Sequence, residues 1–239
     1  NVLSSVREAV DFGDGVSVLD IGCGSGVWIM DMAQDFPNCT YDGCDIVNIV
    51  NKNLDVKQFT FREGNVLHGL PYPDNTFDFV HMRLLVYALR EEEWPVAIKE
   101  AIRVVKPGGM LQFVESGLKL PEDSSTVYYK FVCATFSICS SRGQNPRIVE
   151  KLEALISAIE DVNVKQCVRR RCNTSANTSV AKKFRWGGVE FIKSSIHHLK
   201  PMLGLESEED TQRYIKDFNN CMTYSDCCFD TTVVGAKKL

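Results

Sequence analysis

The chain has 239 residues, of which 44% are hydrophobic and 24% are charged, and its formal net charge is −4. This length and apolar content suffice for one well-buried domain with sizeable insertions. The slightly acidic balance gives no general attraction to nucleic acid or anionic membranes, so we expect neither as a partner, while a protein partner stays open. No apolar run approaches the roughly 18 residues of a membrane-spanning helix. We expect a soluble intracellular protein, cytoplasmic or nuclear.

Ten cysteines are scattered along the chain, several within apolar stretches. A disulfide scaffold is typical of much shorter secreted chains, so reduced and buried thiols are the better interpretation. No Cys-x-x-Cys pair occurs, and the adjacent Cys227 and Cys228 cannot easily chelate one metal ion together. We therefore predict no metal site.

The first half of the chain alternates short apolar runs with amphipathic stretches. In the second amphipathic stretch Ile98, Ala101, Ile102 and Val105 have helical spacing, and Pro107-Gly108-Gly109 ends the pattern. Strands alternating with helices predict a parallel sheet covered on both faces. The predicted strands are 16–21, 40–46, 58–62, 77–82 and 110–115, and the predicted helices are 27–36 and 92–105.

The second half alternates less regularly. We predict a helix over 124–139 and another opened by Asn145 as N-cap and Pro146 in its first turn. Strands follow over 162–168 and 229–236, with a largely helical stretch of about 55 residues between them, which is long for a plain connection. The run Arg169-Arg170-Arg171 favours a solvated edge strand over a nucleic-acid patch.

The segment "VLDIGCGSGVW" (18–28) places three glycines directly after the first strand. Glycine-rich turns between a strand and a helix commonly hold nucleotides, because glycine lets the backbone approach a ligand closely. Dinucleotide sites use G-x-G-x-x-G, whereas Gly22, Gly24 and Gly26 form G-x-G-x-G. This spacing favours a nucleotide-like ligand without a diphosphate.

Three segments, "VLDIGCGSG", "YDGCDI" and "VVKPGGMLQFVE", resemble motifs of the class I S-adenosylmethionine-dependent methyltransferases. The resemblance covers nearly the whole chain. The stretch "PYPDNTFDFVHMRLL" further resembles a fungal subgroup that includes regulators of secondary metabolism. The resemblance implies an α/β, Rossmann-like, seven-stranded and mostly parallel sheet with an antiparallel last strand and helices on both faces. Ligands bind outside the carboxyl ends of the strands in such sheets, and the loops after the fifth and sixth strands leave from that edge. We therefore predict a cofactor-binding core over 14–116, with helical cap insertions over about 117–145 and 174–226 that lie over the cofactor.

The same resemblance implies S-adenosyl-L-methionine as the cofactor. Asp45 would accept both ribose hydroxyls, and Asp20 would help to hold the methionine ammonium. Asn65 stands where the family often has an acidic residue that binds the adenine amino group. Cys23 follows the family's common Gly-Cys-Gly form and needs no thiol chemistry. The full set of expected cofactor-binding residues is Asp20, Gly22, Cys23, Gly24, Gly26, Asp45, Ile46, Asn65, Val66, Met82 and Arg83, with Ile46 and Val66 flanking the adenine and Met82 and Arg83 near the acceptor.

No universal catalytic residue follows from this chemistry, because methyl transfer from a sulfonium depends mainly on alignment and exclusion of water. An acceptor of high pKa would need a base, for which His81, Tyr87 and Tyr128 are candidates. His81 and Tyr128 also suit core packing. We expect Tyr128, Phe131 and Trp186 among the residues that line the acceptor pocket. The acceptor, a small molecule or a protein, is not identified by the sequence.

Two other functions stay open. A catalytically silent methyltransferase-like regulator could keep every cofactor motif, and binding without turnover would reveal it. A nicotinamide-dependent reductase shares the layered sheet, but the glycine spacing and the Lys-Pro-Gly-Gly turn argue against it. The Asn/Asp-Pro-Pro-Tyr tetrad of many nucleic-acid methyltransferases is absent, since His81-Met82-Arg83-Leu84 stands in that region.

Overall fold

The computed structural model describes residues 2–51 and 56–239. A seven-stranded sheet has the order β3-β2-β1-β4-β5-β7-β6. The first five strands pair in parallel and the last strand is antiparallel, which confirms the predicted Rossmann-like fold class. The strands are β1 (Ser17–Ile21), β2 (Thr40–Asp45), β3 (Phe59–Glu63), β4 (Phe77–Arg83), β5 (Val105–Leu118), β6 (Val162–Asn173) and β7 (Cys228–Lys238).

Seven α-helices lie in the described residues, together with one 3-10 turn at Glu91–Glu93. In α3 (Trp94–Val104) the predicted apolar positions Ile98, Ala101 and Ile102 are inaccessible or nearly so, whereas the fourth, Val105, is the first residue of β5. The helices are α1 (Ser4–Ala9), α2 (Val27–Asp35), α3 (Trp94–Val104), α4 (Val127–Ser141), α5 (Ile148–Ser157), α6 (Ser179–Leu203) and α7 (Glu208–Tyr224).

Several predicted boundaries are wrong. Strand β5 begins at Val105 instead of Met110, because Val105 pairs with Phe77 before the register shifts and Met110 pairs with Phe79. The Lys-Pro-Gly-Gly stretch is therefore an irregularity within the strand and not a turn before it. The predicted N-cap Asn145 lies before α5, where its Oδ1 accepts a hydrogen bond from the Arg147 amide. Strand β6 extends five residues beyond the predicted end at residue 168.

The edge-strand prediction for the arginine run is confirmed. Strand β6 is the outermost strand of the sheet, and the three arginines 169–171 are exposed at its end. Arg171 forms a salt bridge with Asp230 at 2.7 Å. Charges on an edge strand discourage pairing with other chains, which suits a solvated edge.

The chain divides into two compact units. The first consists of residues 1–115, 150–168 and 232–239, and the second of residues 116–149 and 169–231. The first unit has a core around Val18, Ile29, Tyr41 and Phe79. The second has its own core, formed by Tyr128, Phe131, Ile192, Phe218 and Met222. The predicted cap segments fall within the second unit and contain α4, α6 and α7. Their position over the cofactor stays a prediction.

Candidate cofactor site

The glycine turn between β1 and α2 has a left-handed backbone at Gly22, Gly24 and Gly26, with φ of 69°, 54° and 80°. Gly22 meets a second constraint, because a Cβ atom there would lie 2.8 Å from Cδ2 of Leu85. The Gly22 and Cys23 amides both donate to the Cys44 carbonyl at the end of β2. The turn is thus fastened to the neighbouring strand, and at Gly22 only glycine fits without strain.

Asp45 is the last residue of β2 and its carboxylate holds two backbone amides. Oδ2 accepts from the Gly24 amide at 2.9 Å, and Oδ1 accepts from the Val47 amide at 3.3 Å. The side chain is only half-buried. Because a carboxylate offers about four acceptor positions, these bonds leave capacity for the hydroxyl groups of a ligand.

A cavity of about 260 Å³ opens where β1, β2 and β3 end; we term it the Asp45 cavity. Its lining includes five residues that the sequence analysis assigned to the cofactor, namely Gly22, Asp45, Ile46, Asn65 and Val66. In parallel α/β sheets ligands bind outside the carboxyl ends of the strands, which is where this cavity lies.

Apolar and polar groups both face the Asp45 cavity. Ile46 is 62% exposed although it is apolar, while Val66 is buried. The Asn65 Oδ1 accepts from the Leu67 amide at 2.9 Å, which fixes the turn that follows β3. An exposed isoleucine beside a concave surface is typical of a site that a flat apolar group covers.

Glu115, near the end of β5, anchors another wall of the Asp45 cavity. Its carboxyl group is almost fully buried and accepts from the Leu85 amide at 2.9 Å and the Val86 amide at 3.1 Å. Burial raises the pKa of Glu115 to about 8, despite these hydrogen bonds. Leu85, Ala88 and Leu89 of the anchored segment line the cavity. Just before it, Leu84 has a φ of 57°, an unfavourable conformation for a bulky residue.

Asp20, His81 and Gln112 form a buried polar row across three neighbouring strands. They are direct partners in the registers of β1 with β4 and of β4 with β5. His81 Nδ1 lies 2.9 Å from Asp20 Oδ1, and burial lowers the pKa of His81. A neutral His81 therefore donates its Nδ1 proton to Asp20. Among the described residues neither His81 Nε2 nor Asp20 Oδ2 has a hydrogen-bond partner.

A second cavity, of about 330 Å³, lies beside this polar row; we term it the Arg83 cavity. Its lining includes His81 and Arg83 of β4, Gln112 of β5, and Trp28 of α2. The His81 ring stacks on Trp28, with centroids 3.9 Å apart. The Leu3 amide donates to Gln112 Oε1 at 2.8 Å, so the segment before α1 forms part of the wall.

Other candidate residues lie elsewhere. Met82 is buried within β4 and lines neither cavity, and Tyr87 is half-buried. Cys23 is buried, and burial raises its pKa to about 12. Of the ten cysteines, six are buried, but Cys133 is exposed, contrary to the expectation of buried thiols.

The expectation that Tyr128 and Phe131 line the acceptor pocket stays a prediction. Both are fully buried in the core of the second unit, and the Tyr128 hydroxyl donates to the Cys228 carbonyl at 2.8 Å. Trp186 is 70% exposed on α6. The alternative interpretation of core packing fits Tyr128 and Phe131.

Sequence reasoning missed Glu115, Gln112 and Trp28. A signal exists for the first two, because a polar residue within the otherwise apolar strand "MLQFVE" must find a partner when it is buried. No comparable signal singles out Trp28, which an amphipathic helix can bury for packing alone.

Residues 18–109 match the family described as "Methyltransferase domain". The chain is 33% identical over 97 residues to the secondary metabolism regulator laeA of Coprinopsis cinerea, covering 41% of this chain and 24% of that protein. It is 30% identical over 131 residues to a demethylmenaquinone methyltransferase of Staphylococcus aureus, covering 51% and 53%. The match to this family covers residues 18–109, which are fewer than half of the chain. The chain spans about half, or less, of the length of these curated relatives.

A similar fold appears in solved structures. Phosphoethanolamine N-methyltransferase 2 of Haemonchus contortus, in complex with phosphomonomethylethanolamine and S-adenosylhomocysteine, aligns with a TM-score of 0.60. The alignment covers 98% of this chain and 51% of that chain at 15% identity. At this identity the likeness concerns the fold.

Every helix within residues 2–51 and 56–239 is too short or too polar to span a lipid bilayer. No group of three or more His, Cys, Asp or Glu side chains in that part of the chain is placed to hold a metal ion.

Proposed function

We propose that the methyltransferase domain binds S-adenosyl-L-methionine in the Asp45 cavity and transfers its methyl group to an acceptor. The observation that carries this proposal is the convergence of the glycine turn, Asp45 and the segment after β3 on one cavity. This convergence unites Gly22 and Val66, which are 44 positions apart in the sequence, and the residues concerned were all expected from the motifs. The menaquinone relative favours a small molecule as the acceptor.

The residues present fit an adenosine group. Asp45 retains acceptor capacity for two ribose hydroxyls, while Ile46 and Val66 supply apolar contacts for adenine. Asn65 offers an amide in place of the family's carboxylate, and an amide oxygen accepts a hydrogen bond more weakly. No diphosphate has to be neutralised, and the residues assigned to this cavity include no Lys or Arg.

S-adenosyl-L-methionine would supply a methyl group bound to a sulfonium sulfur. The rest of the cofactor would be the leaving group, a neutral thioether. The chain's residues would then align the acceptor, exclude water and, for a weakly acidic acceptor, remove a proton. Of the three candidate bases, His81 is the one whose hydrogen bond to Asp20 suits the role of a base. Asp20 accepts the Nδ1 proton, which leaves the Nε2 lone pair directed away from Asp20.

Calorimetric titration with S-adenosylhomocysteine tests the cofactor site. Asp45→Ala removes a charge-assisted hydrogen bond of about 1.5–3 kcal/mol, so the affinity should fall about ten- to hundredfold. Asp35→Ala, at an exposed position at the end of α2, is the matched control and should bind like the wild type. Unchanged affinity in Asp45→Ala would overturn the assignment of this residue.

A regulator that binds the cofactor without turnover is the second candidate, favoured by the likeness to laeA. Mass spectrometry separates the two functions. With cofactor and a panel of small-molecule and protein acceptors, an enzyme adds about 14 Da to one acceptor and releases S-adenosylhomocysteine in equal amount. Tight cofactor binding with neither product would favour the regulator.

A further inference from the structure

The Arg83 cavity combines one cation with apolar and neutral polar side chains. Arg83 is half-buried, and no acidic side chain among the described residues pairs with it. The other lining residues are His81, Trp28, Gln112 and aliphatic side chains. Two other arginines of the first unit have carboxylate partners: Arg62 lies 3.7 Å from Asp42, and Arg103 binds Asp74 and Glu100. A guanidinium held in a cavity without a counter-ion is a preformed site for an anion.

We propose that the Arg83 cavity binds the methyl acceptor and that this acceptor is a carboxylic acid, with its carboxylate on Arg83. This inference rests on the proposed function, because it assigns the acceptor side of the same reaction. The two cavities have no lining residue in common. Both adjoin the end of β4, because Arg83 lines one cavity and Leu85 lines the other. Separate cavities suit two ligands that meet there.

His81 provides the independent second observation. Its side chain is fully buried, lines the Arg83 cavity and has no partner for Nε2 among the described residues. Because Nδ1 donates to Asp20, Nε2 is an acceptor. A ligand that satisfies both groups carries a carboxylate for Arg83 and a hydroxyl or amine for His81. Arg83 and His81 are two residues apart on one strand and therefore lie on the same face.

In the proposed step a methyl group moves from sulfur to the acceptor and a proton moves from the acceptor to His81. The acceptor's hydroxyl or amine gives its proton to His81 Nε2 while its lone pair forms a bond to the methyl carbon. The electron pair of the broken carbon–sulfur bond stays on sulfur, so the products are a methyl ether or methylamine, a neutral thioether and protonated His81. Asp20 stabilises the charge that appears on the imidazole.

Ligand-observed NMR with 4-hydroxybenzoate and its uncharged analogue 4-hydroxybenzamide tests the proposal. With saturating S-adenosylhomocysteine, the wild type should bind the acid at least about tenfold more tightly than the amide. Arg83→Met should abolish this preference, and Arg83→Lys should retain part of it. Arg170→Met, at an exposed arginine of β6, is the control and should leave the preference intact.

Two further outcomes would overturn the proposal. Equal binding of acid and amide, or no binding of either, would show that the cavity does not select a carboxylate. If Arg83→Met weakens S-adenosylhomocysteine but not 5′-methylthioadenosine, which lacks the carboxylate, then Arg83 binds the cofactor instead of the acceptor. The acid preference is also measured without cofactor. If the protein prefers the acid but does not bind S-adenosylhomocysteine, the proposed function fails while the carboxylate site stands. If it binds S-adenosylhomocysteine but shows no preference for the acid, only the carboxylate site fails.

Discussion

Glu115 should make the stability of the protein depend on pH. Burial raises its pKa from 4.5 to about 8 in the folded chain. Between these values the unfolded chain has released the proton and the folded chain still holds it, so the free energy of unfolding falls as the pH rises. The slope approaches about 1.4 kcal/mol per pH unit, and the total loss is at most about 5 kcal/mol. Below pH 4.5 and above pH 8 this contribution is constant.

Glu115→Gln isolates this effect, because glutamine does not titrate. Its amide group would face one of the backbone amides at Leu85 and Val86, which costs stability by an amount that is independent of pH. The readout is therefore the difference in unfolding free energy between wild type and variant, measured with urea at pH 5, 6, 7 and 8. The wild type should lose stability relative to the variant at each step. A difference that stays constant over this range would refute the reasoning.

Two further substitutions test the walls of the Asp45 cavity. Gly22→Ala should destabilise the fold by about 1–3 kcal/mol and weaken S-adenosylhomocysteine binding, because the new Cβ meets Leu85 in a left-handed backbone. Gly204→Ala, with a φ of 66° and no atom within 4 Å of the new Cβ, controls for the backbone strain alone and should bind normally. Asn65→Asp should hold or improve the affinity in calorimetry, because it keeps the turn to the Leu67 amide and makes the acceptor charged. A large loss would indicate that Asn65 does not contact adenine.

The first part of the fold was predictable because its hydrophobic periodicity is strong. The bounds of β1, α2, β2, β3 and β4 lie within about one residue of the predictions. Prediction was wrong where local signals mislead: Pro107 and Gly108 are breakers that here sit inside β5, accommodated by a register shift. The short helix α1 was missed, since Val6 is its only buried residue and no amphipathic pattern marks it.

The two cavities differ in how far the sequence reveals them. Motif spacing assigned Gly22, Asp45 and Asn65 to one site, because each follows a predicted strand. The Arg83 cavity depends on strand register, which places Asp20, His81 and Gln112 side by side. Nothing in the sequence gives the register between β4 and β5. The sequence also could not decide whether Tyr128 packs in a core or lines the acceptor pocket, because an apolar helix serves either role.

A crystal structure with S-adenosylhomocysteine tests the central claim most directly, through the distances between the ribose hydroxyl oxygens and the Asp45 carboxylate. The account predicts both hydroxyls within about 3.2 Å of Asp45 oxygens and adenine between Ile46 and Val66. A ligand bound elsewhere, or an Asp45 cavity that stays empty at saturating S-adenosylhomocysteine, would contradict it.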